Sequence, residues 1–241
     1  CGCGTAKTEK LERNLRTSRV YDIRNAGRHH RFTVSGRLVH NCGYGGGTGA
    51  LTTMGALDMG LKEPELPTII TQWREANSNI VKYWRDVEKA AIDTVKDHKE
   101  RRVNHLKFRF EGNALWMVLP SGRSLVYLNP RLQPNRFGRM ALTFEGIDAA
   151  NKWSRQETYS GKLVENATQA IARDLLTAAM LRMEQAGFEI VAHVHDEVII
   201  EAPTDKYAVN EVCEIMNQAP AWCQDLPLSS AGYKGNYYFK D

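Results

Sequence analysis

The sequence has no apolar run approaching the roughly eighteen consecutive residues that a membrane-spanning helix needs. Its first forty residues are basic and polar and lack the apolar centre of a secretory signal. Cysteine is scarce, with five residues (Cys1, Cys3, Cys42, Cys213, Cys223), odd in number and scattered. That excludes a disulfide framework and points to a reducing, cytoplasmic setting. Cys1 and Cys3 with His29 and His30 match no standard zinc spacing. Internal repeats are absent too. A hydrophobic share of 42% beside 25% charged residues excludes disordered and collagen-like chains. The 241 residues suffice to bury a core, in one large domain or two small ones.

Positive charge is missing from most of the chain as well. The formal net charge is +4, but residues 1–41 hold nine Lys/Arg against three Asp/Glu, whereas residues 42–241 hold 23 against 25. The basic excess thus lies in the leader. Net charge makes no case for nucleic-acid binding, which has to rest on particular residues.

What is present reads as α+β. Val20–Ile23, Arg31–Val34 and Arg37–Val39 are short strand-like pieces separated by the turn residues Asn25-Ala26-Gly27 and Ser35-Gly36. Five of the seven residues from Gly43 to Gly49 are glycine, which predicts a loop or a helix end. Trp73, Ala76, Ile80, Tyr83, Trp84, Val87, Ala91 and Val95 recur at helical steps, predicting one long helix from about Thr71 to Lys99. Arg109 to Tyr127 reads as a strand pair about the turn in Leu119-Pro120-Ser121-Gly122-Arg123. Lys162 to Gln185 is a second helix, ended by Gly187. A third is expected over Asp205 to Gln218.

Phe188–Val194 and Val198–Ala202 are apolar strands, expected to be buried, that flank His195-Asp196-Glu197. Neighbouring side chains on a strand point to opposite faces, but at a turn two carboxylates can reach a common region. Such a pair suits Mg²⁺, which prefers carboxylate oxygen and keeps waters and phosphates as its other ligands. A solvated Asp-Glu turn is the plainer account of the hairpin taken alone.

The neighbourhood changes that balance. Glu165-Asn166-Ala167-Thr168-Gln169-Ala170-Ile171-Ala172-Arg173-Asp174, running on to His195-Asp196-Glu197, resembles family A DNA polymerases of the bacteriophage type. Gly43-Tyr44-Gly45, Trp73-Arg74-Glu75-Ala76-Asn77, Leu119–Arg123, Tyr159–Asn166 and Leu226-Pro227-Leu228 extend the resemblance over 42–241 in order. It implies a fingers and palm fragment whose catalytic β-hairpin packs on long helices. Asp196 would ligate the catalytic metals, with Glu197 beside it. His195 would lie against the primer-terminal backbone, and Gln169 would contact the duplex. Tyr44 would close the nascent base-pair pocket, with Gly45 permitting close packing behind it. The partners implied are primed template DNA and deoxynucleoside triphosphates. The cofactor implied is Mg²⁺ in a two-metal site, which activates the primer 3′-hydroxyl and stabilises the leaving pyrophosphate.

The family's first metal-binding Asp lies in an earlier motif, and its triphosphate-gripping Lys and Arg precede the residue matching Tyr44. Here those positions hold unrelated sequence ending at Asn41. The chain is therefore expected to be a fragment that lacks an N-terminal half and does not extend a primer by itself.

The interruption has its own resemblance. Val20–Ile23, His30-Arg31-Phe32 and Leu38-Val39-His40-Asn41, followed by Cys42, resemble the C-terminal end of an intein, a short all-β segment of HINT type over residues 1–41. An Asn side-chain amide can attack its own carbonyl, forming a succinimide and cutting the chain; one residue carries both groups. Asn41 would do so, with His40 polarising the scissile carbonyl. His30 and Asp22 would transfer or orient protons, and Cys42 would receive the upstream polypeptide as a thioester. Two other classes stay open: a non-catalytic nucleic-acid-binding module, and a chain that is chiefly a self-cleaving element.

Overall fold

The computed structural model describes residues 32–34, 37–39, 45–135, 138–203, 208–235 and 237–238. The chain divides into two units, Cys1–His40 and Asn41–Asp241. In the first, β1 (Phe32–Val34) and β2 (Arg37–Val39) pair antiparallel, Phe32 opposite Val39 and Val34 opposite Arg37. These are the strand pieces expected from the sequence. The Ser35-Gly36 turn expected between them lies outside the described residues.

The second unit mixes helices with an antiparallel sheet. The glycine-rich segment runs into α1 (Thr48–Thr53), with Gly47 as its N-cap. The single helix expected over Thr71–Lys99 is instead two: α2 (Leu66–Ala76) and α3 (Ser78–Asp97). Asn77 interrupts them with φ −118° and ψ 42°, and its side-chain Nδ2 donates to the Trp73 carbonyl at 2.8 Å. The Asn77 N–H also reaches that carbonyl at 2.9 Å, so backbone and side chain together close the last turn of α2. The apolar stripe continues across the break because Trp73 and Trp84 stack with centroids 5.9 Å apart. His98 caps α3 in the left-handed region at φ 58° and stacks on Phe110.

Six strands follow as a meander: β3 (Arg101–Val103), β4 (Leu106–Glu111), β5 (Ala114–Val118), β6 (Ser124–Pro134), β7 (Met140–Ile147) and β8 (Trp153–Thr158), each antiparallel to the next. The expected strand pair is the β5–β6 hairpin within this wider sheet. Its turn is closed by Gly122 N–H on the Leu119 carbonyl at 2.9 Å, with Pro120 second and Gly122 fourth, the positions these residues favour. Leu106, Phe108, Leu115, Met117 and Leu142 are buried with Val87 and Ala91 of α3. From α4 (Ser160–Gln185), Leu163, Val164, Ala167 and Ala170 join the same core. Each large side chain here contributes about 1.5–3 kcal/mol by leaving water.

α4 ends where expected, at Gln185, and begins two residues before the expected Lys162. Its first free N–H groups are served from α3, where Glu88 Oε1 accepts from Ser160 N at 3.1 Å. At its end Gly187 takes φ +85°, and the Gly187 and Phe188 N–H groups return to the Glu184 and Met183 carbonyls, a glycine-capped helix stop. The chain then reverses into β9 (Glu189–Val194) and β10 (Glu197–Glu201), antiparallel with Val194 opposite Glu197. These strands were expected to be buried, but they are half-exposed or exposed, Val191 at 51%. Only one flank is covered, since β9 packs on α4 and the hairpin forms a two-stranded sheet of its own. The third helix is α5 (Val209–Met216), shorter than expected; residues 204–207 before it are outside the described set.

Candidate active site

The β9–β10 register leaves two residues, His195 and Asp196, to make the turn. His195 sits at φ 52°, a left-handed conformation that tight two-residue hairpins demand and that His adopts more readily than most residues. That turn holds the imidazole and the Asp196 carboxylate at the tip of the hairpin, against the flank of α4.

Between hairpin and helix lies a cleft of about 510 Å³ lined by Gln169, Ala172, Arg173, His193, His195 and Asp196. Three residues singled out from sequence, Gln169, His195 and Asp196, therefore share one cavity although α4 and the hairpin tip are far apart in the chain. Two polar lining residues were not foreseen, Arg173 and His193. Their signals were legible in retrospect. Arg173 follows Gln169 by one helical turn, so the two share a face of α4, and His193 lies on β9 two residues before the turn residue His195. Arg173 Nη1 and Nη2 each lie 3.2 Å from a ring nitrogen of His193.

Glu197 faces elsewhere. It is the first residue of β10, and its Oε2 accepts from the Tyr238 hydroxyl at 2.7 Å. The hydrogen bond it donates to Glu197 raises the Tyr238 phenol above its ordinary value, because ionising it would forfeit that bond. The acidic pair is thus split: Asp196 lines the cleft, and Glu197 is engaged by the C-terminal tail. Both are hard oxygen donors of the kind Mg²⁺ takes. Among the described residues, no three His, Cys, Asp or Glu side chains gather into a metal-binding group.

A second sequence motif braces α4. Asp174 accepts from Ser121 Oγ at 2.5 Å and from Arg123 Nε at 2.6 Å, and Arg123 Nη2 donates to the Ala170 carbonyl at 2.8 Å. The Leu119–Arg123 turn is therefore bolted to the helix between the residues that line the cleft. Within the same helix Asn166 Nδ2 donates to the Tyr127 hydroxyl at 3.2 Å, and burial raises that phenol's pKa.

Gly45 lies apart from the cleft. It takes φ +79°, and a Cβ there would stand 3.5 Å from Gly161 Cα, at the start of α4. Arg74 Nη2 donates to the neighbouring Gly46 carbonyl at 3.3 Å, holding the glycine loop to α2. Gln169 is eight residues further along α4, about 12 Å at helical rise. Tyr44, and the residues proposed for chain cleavage (Asp22, His30, His40, Asn41 and Cys42), lie outside the described residues.

The chain is similar to a DNA polymerase. The particular relative is the DNA polymerase of Bacillus phage SP02, to which it is 48% identical over 201 residues. That stretch is 83% of this chain and 31% of the relative, so the chain spans about a third of that protein's length. No protein-family model matches the chain, and no solved structure does. No helix among the described residues is long and apolar enough to cross a membrane.

Proposed function

We propose that residues 42–241 are the fingers and palm part of a family A DNA polymerase, adding deoxynucleotides to a primer 3′-hydroxyl, and that residues 1–41 are the C-terminal segment of an intein. The observation that carries the first half is the cleft in which Gln169, His195 and Asp196 converge. Likeness to a phage DNA polymerase supports the same reading.

In this reading Asp196 is the carboxylate that would hold Mg²⁺, with Glu197 beside it in the metal's surroundings, engaged by Tyr238, and the site would be completed by a carboxylate from the N-terminal part of the polymerase. When bound, the metal supplies charge stabilisation at the reacting phosphate and lowers the pKa of the attacking hydroxyl. The protein's own residues bind and position. His195, fixed in its left-handed turn, directs its imidazole to the primer-terminal backbone. Gln169 carries both a donor and an acceptor on a braced helix and meets the duplex beside it. Tyr44 closes over the nascent pair, with the Gly45 loop packed on the start of α4. Contacts of this kind read backbone and duplex shape, so binding weakens steeply with salt. Substrates are primed template and deoxynucleoside triphosphates in the cytoplasm of a bacterial or phage-infected cell.

The test is a cross-link. A primer with a photoreactive 3′-terminal nucleotide is annealed to template, bound by the polymerase joined to its N-terminal part, irradiated and mapped by mass spectrometry. Adducts on peptides containing Gln169 or His195 are expected. Adducts confined to other surfaces overturn the reading.

A further inference from the structure

Among the described residues Arg173 is a cation without an anion. Its guanidinium contacts His193 through both terminal nitrogens, and no carboxylate among the described residues pairs with it. A neutral imidazole has one acceptor nitrogen, so His193 satisfies at most one of five guanidinium donors and none of the charge. The next residue, Asp174, is by contrast fully engaged by Arg123 and Ser121 on the other side of the helix. Among the described residues Asp196 is the single carboxylate that lines the cleft with Arg173.

The placement has a spacing. The chain reverses at Gly187, so β9 runs back along α4, and Arg173 meets His193 across the cleft. One helical turn toward the start of α4, about 6 Å, leads to Gln169. Two residues forward, past the end of β9 at Val194, the chain reaches His195 in the turn. The lining thus falls into two tiers, one helical turn apart along α4: Gln169 with His195 and Asp196, then Arg173 with His193. A duplex advances about 3.4 Å per nucleotide along each strand, so the tiers stand about two nucleotides apart.

We propose that Arg173, oriented by His193, binds a backbone phosphate of the duplex about two nucleotides behind the one held at the hairpin tip. This rests on the polymerase reading and deepens it. A phosphodiester fits the guanidinium fork and supplies the missing negative charge. It has no base edge to read here, so the contact is independent of sequence.

The test is the affinity of the polymerase joined to its N-terminal part for a primed duplex by fluorescence anisotropy, measured across a salt series. Neutralising Arg173 (Arg173→Gln) removes one phosphate contact, so the slope of log K against log salt shrinks by about 0.9. Arg173→Lys keeps the charge and retains the slope. A residue that merely props β9 shifts affinity with the slope unchanged, and that result overturns the proposal. Wild-type binding with equal slopes for all three proteins overturns it too, while leaving the polymerase reading standing. No duplex binding by the wild-type joined polymerase at low salt overturns both.

Discussion

Arg123 Nε and Asp174 Oδ1 lie 2.6 Å apart across 51 residues of chain, joining the tip of the β5–β6 turn to the middle of α4. The two partners are unequally buried, with side-chain exposures of 45% for Arg123 and 10% for Asp174. Removing the arginine strands a buried carboxylate, whereas removing the carboxylate leaves a guanidinium that water can reach. Arg123→Ala is therefore expected to cost about 2–3 kcal/mol, and Asp174→Asn about 1–2 kcal/mol. Urea unfolding of both variants checks the order. Equal losses, or none, contradict the brace.

Tyr238 and Glu197 give a pH prediction. The carboxylate accepting the phenol's hydrogen bond raises the Tyr238 pKa above its ordinary value. A pKa raised on folding contributes stability that is complete below the unfolded value, about 10 for tyrosine, and is lost as pH rises through the folded value. The ultraviolet difference titration between wild type and Tyr238→Phe should show a phenol ionising late. In Glu197→Gln it should move back toward the ordinary range. Unchanged titration in Glu197→Gln contradicts the contact.

The proposed intein segment is tested by mass. If Asn41 cyclises to cut the chain, incubation alone or with the upstream half yields a product beginning at Cys42, or a ligated polymerase. Asn41→Ala abolishes both. An intact Asn41–Cys42 bond in the wild type under both conditions contradicts cyclisation.

Much of the frame was legible in the sequence because the strongest signals are local. Gly187 stops α4 where the helical spacing ends, and Pro120 with Gly122 closes the β5–β6 turn. The Asn77 break was masked by an apolar stripe that runs through it, since Trp73 and Trp84 stack across the interruption. The width of the sheet was missed for a different reason. β3, β7 and β8 carry charged and small residues such as Arg101, Glu145 and Arg155, so they show little apolar alternation although each pairs with the strand next to it in the chain. At the site, Asp196, His195 and Gln169 were visible as residue types in a familiar order. That Asp196 and Glu197 part company was not visible, because it depends on Tyr238, 41 residues further on.

The most direct measurement is single-turnover primer extension by the polymerase joined to its N-terminal part, comparing wild type with Asp196→Asn. Asp196 is exposed in the cleft, so the variant should fold and bind duplex as wild type does. Losing a carboxylate that holds the metal removes several kcal/mol of charge stabilisation, on the order of a thousand-fold or more in rate. Extension by wild type that collapses in Asp196→Asn is the predicted result. Extension that survives the substitution, or a wild type that binds primed DNA without extending it, contradicts the account.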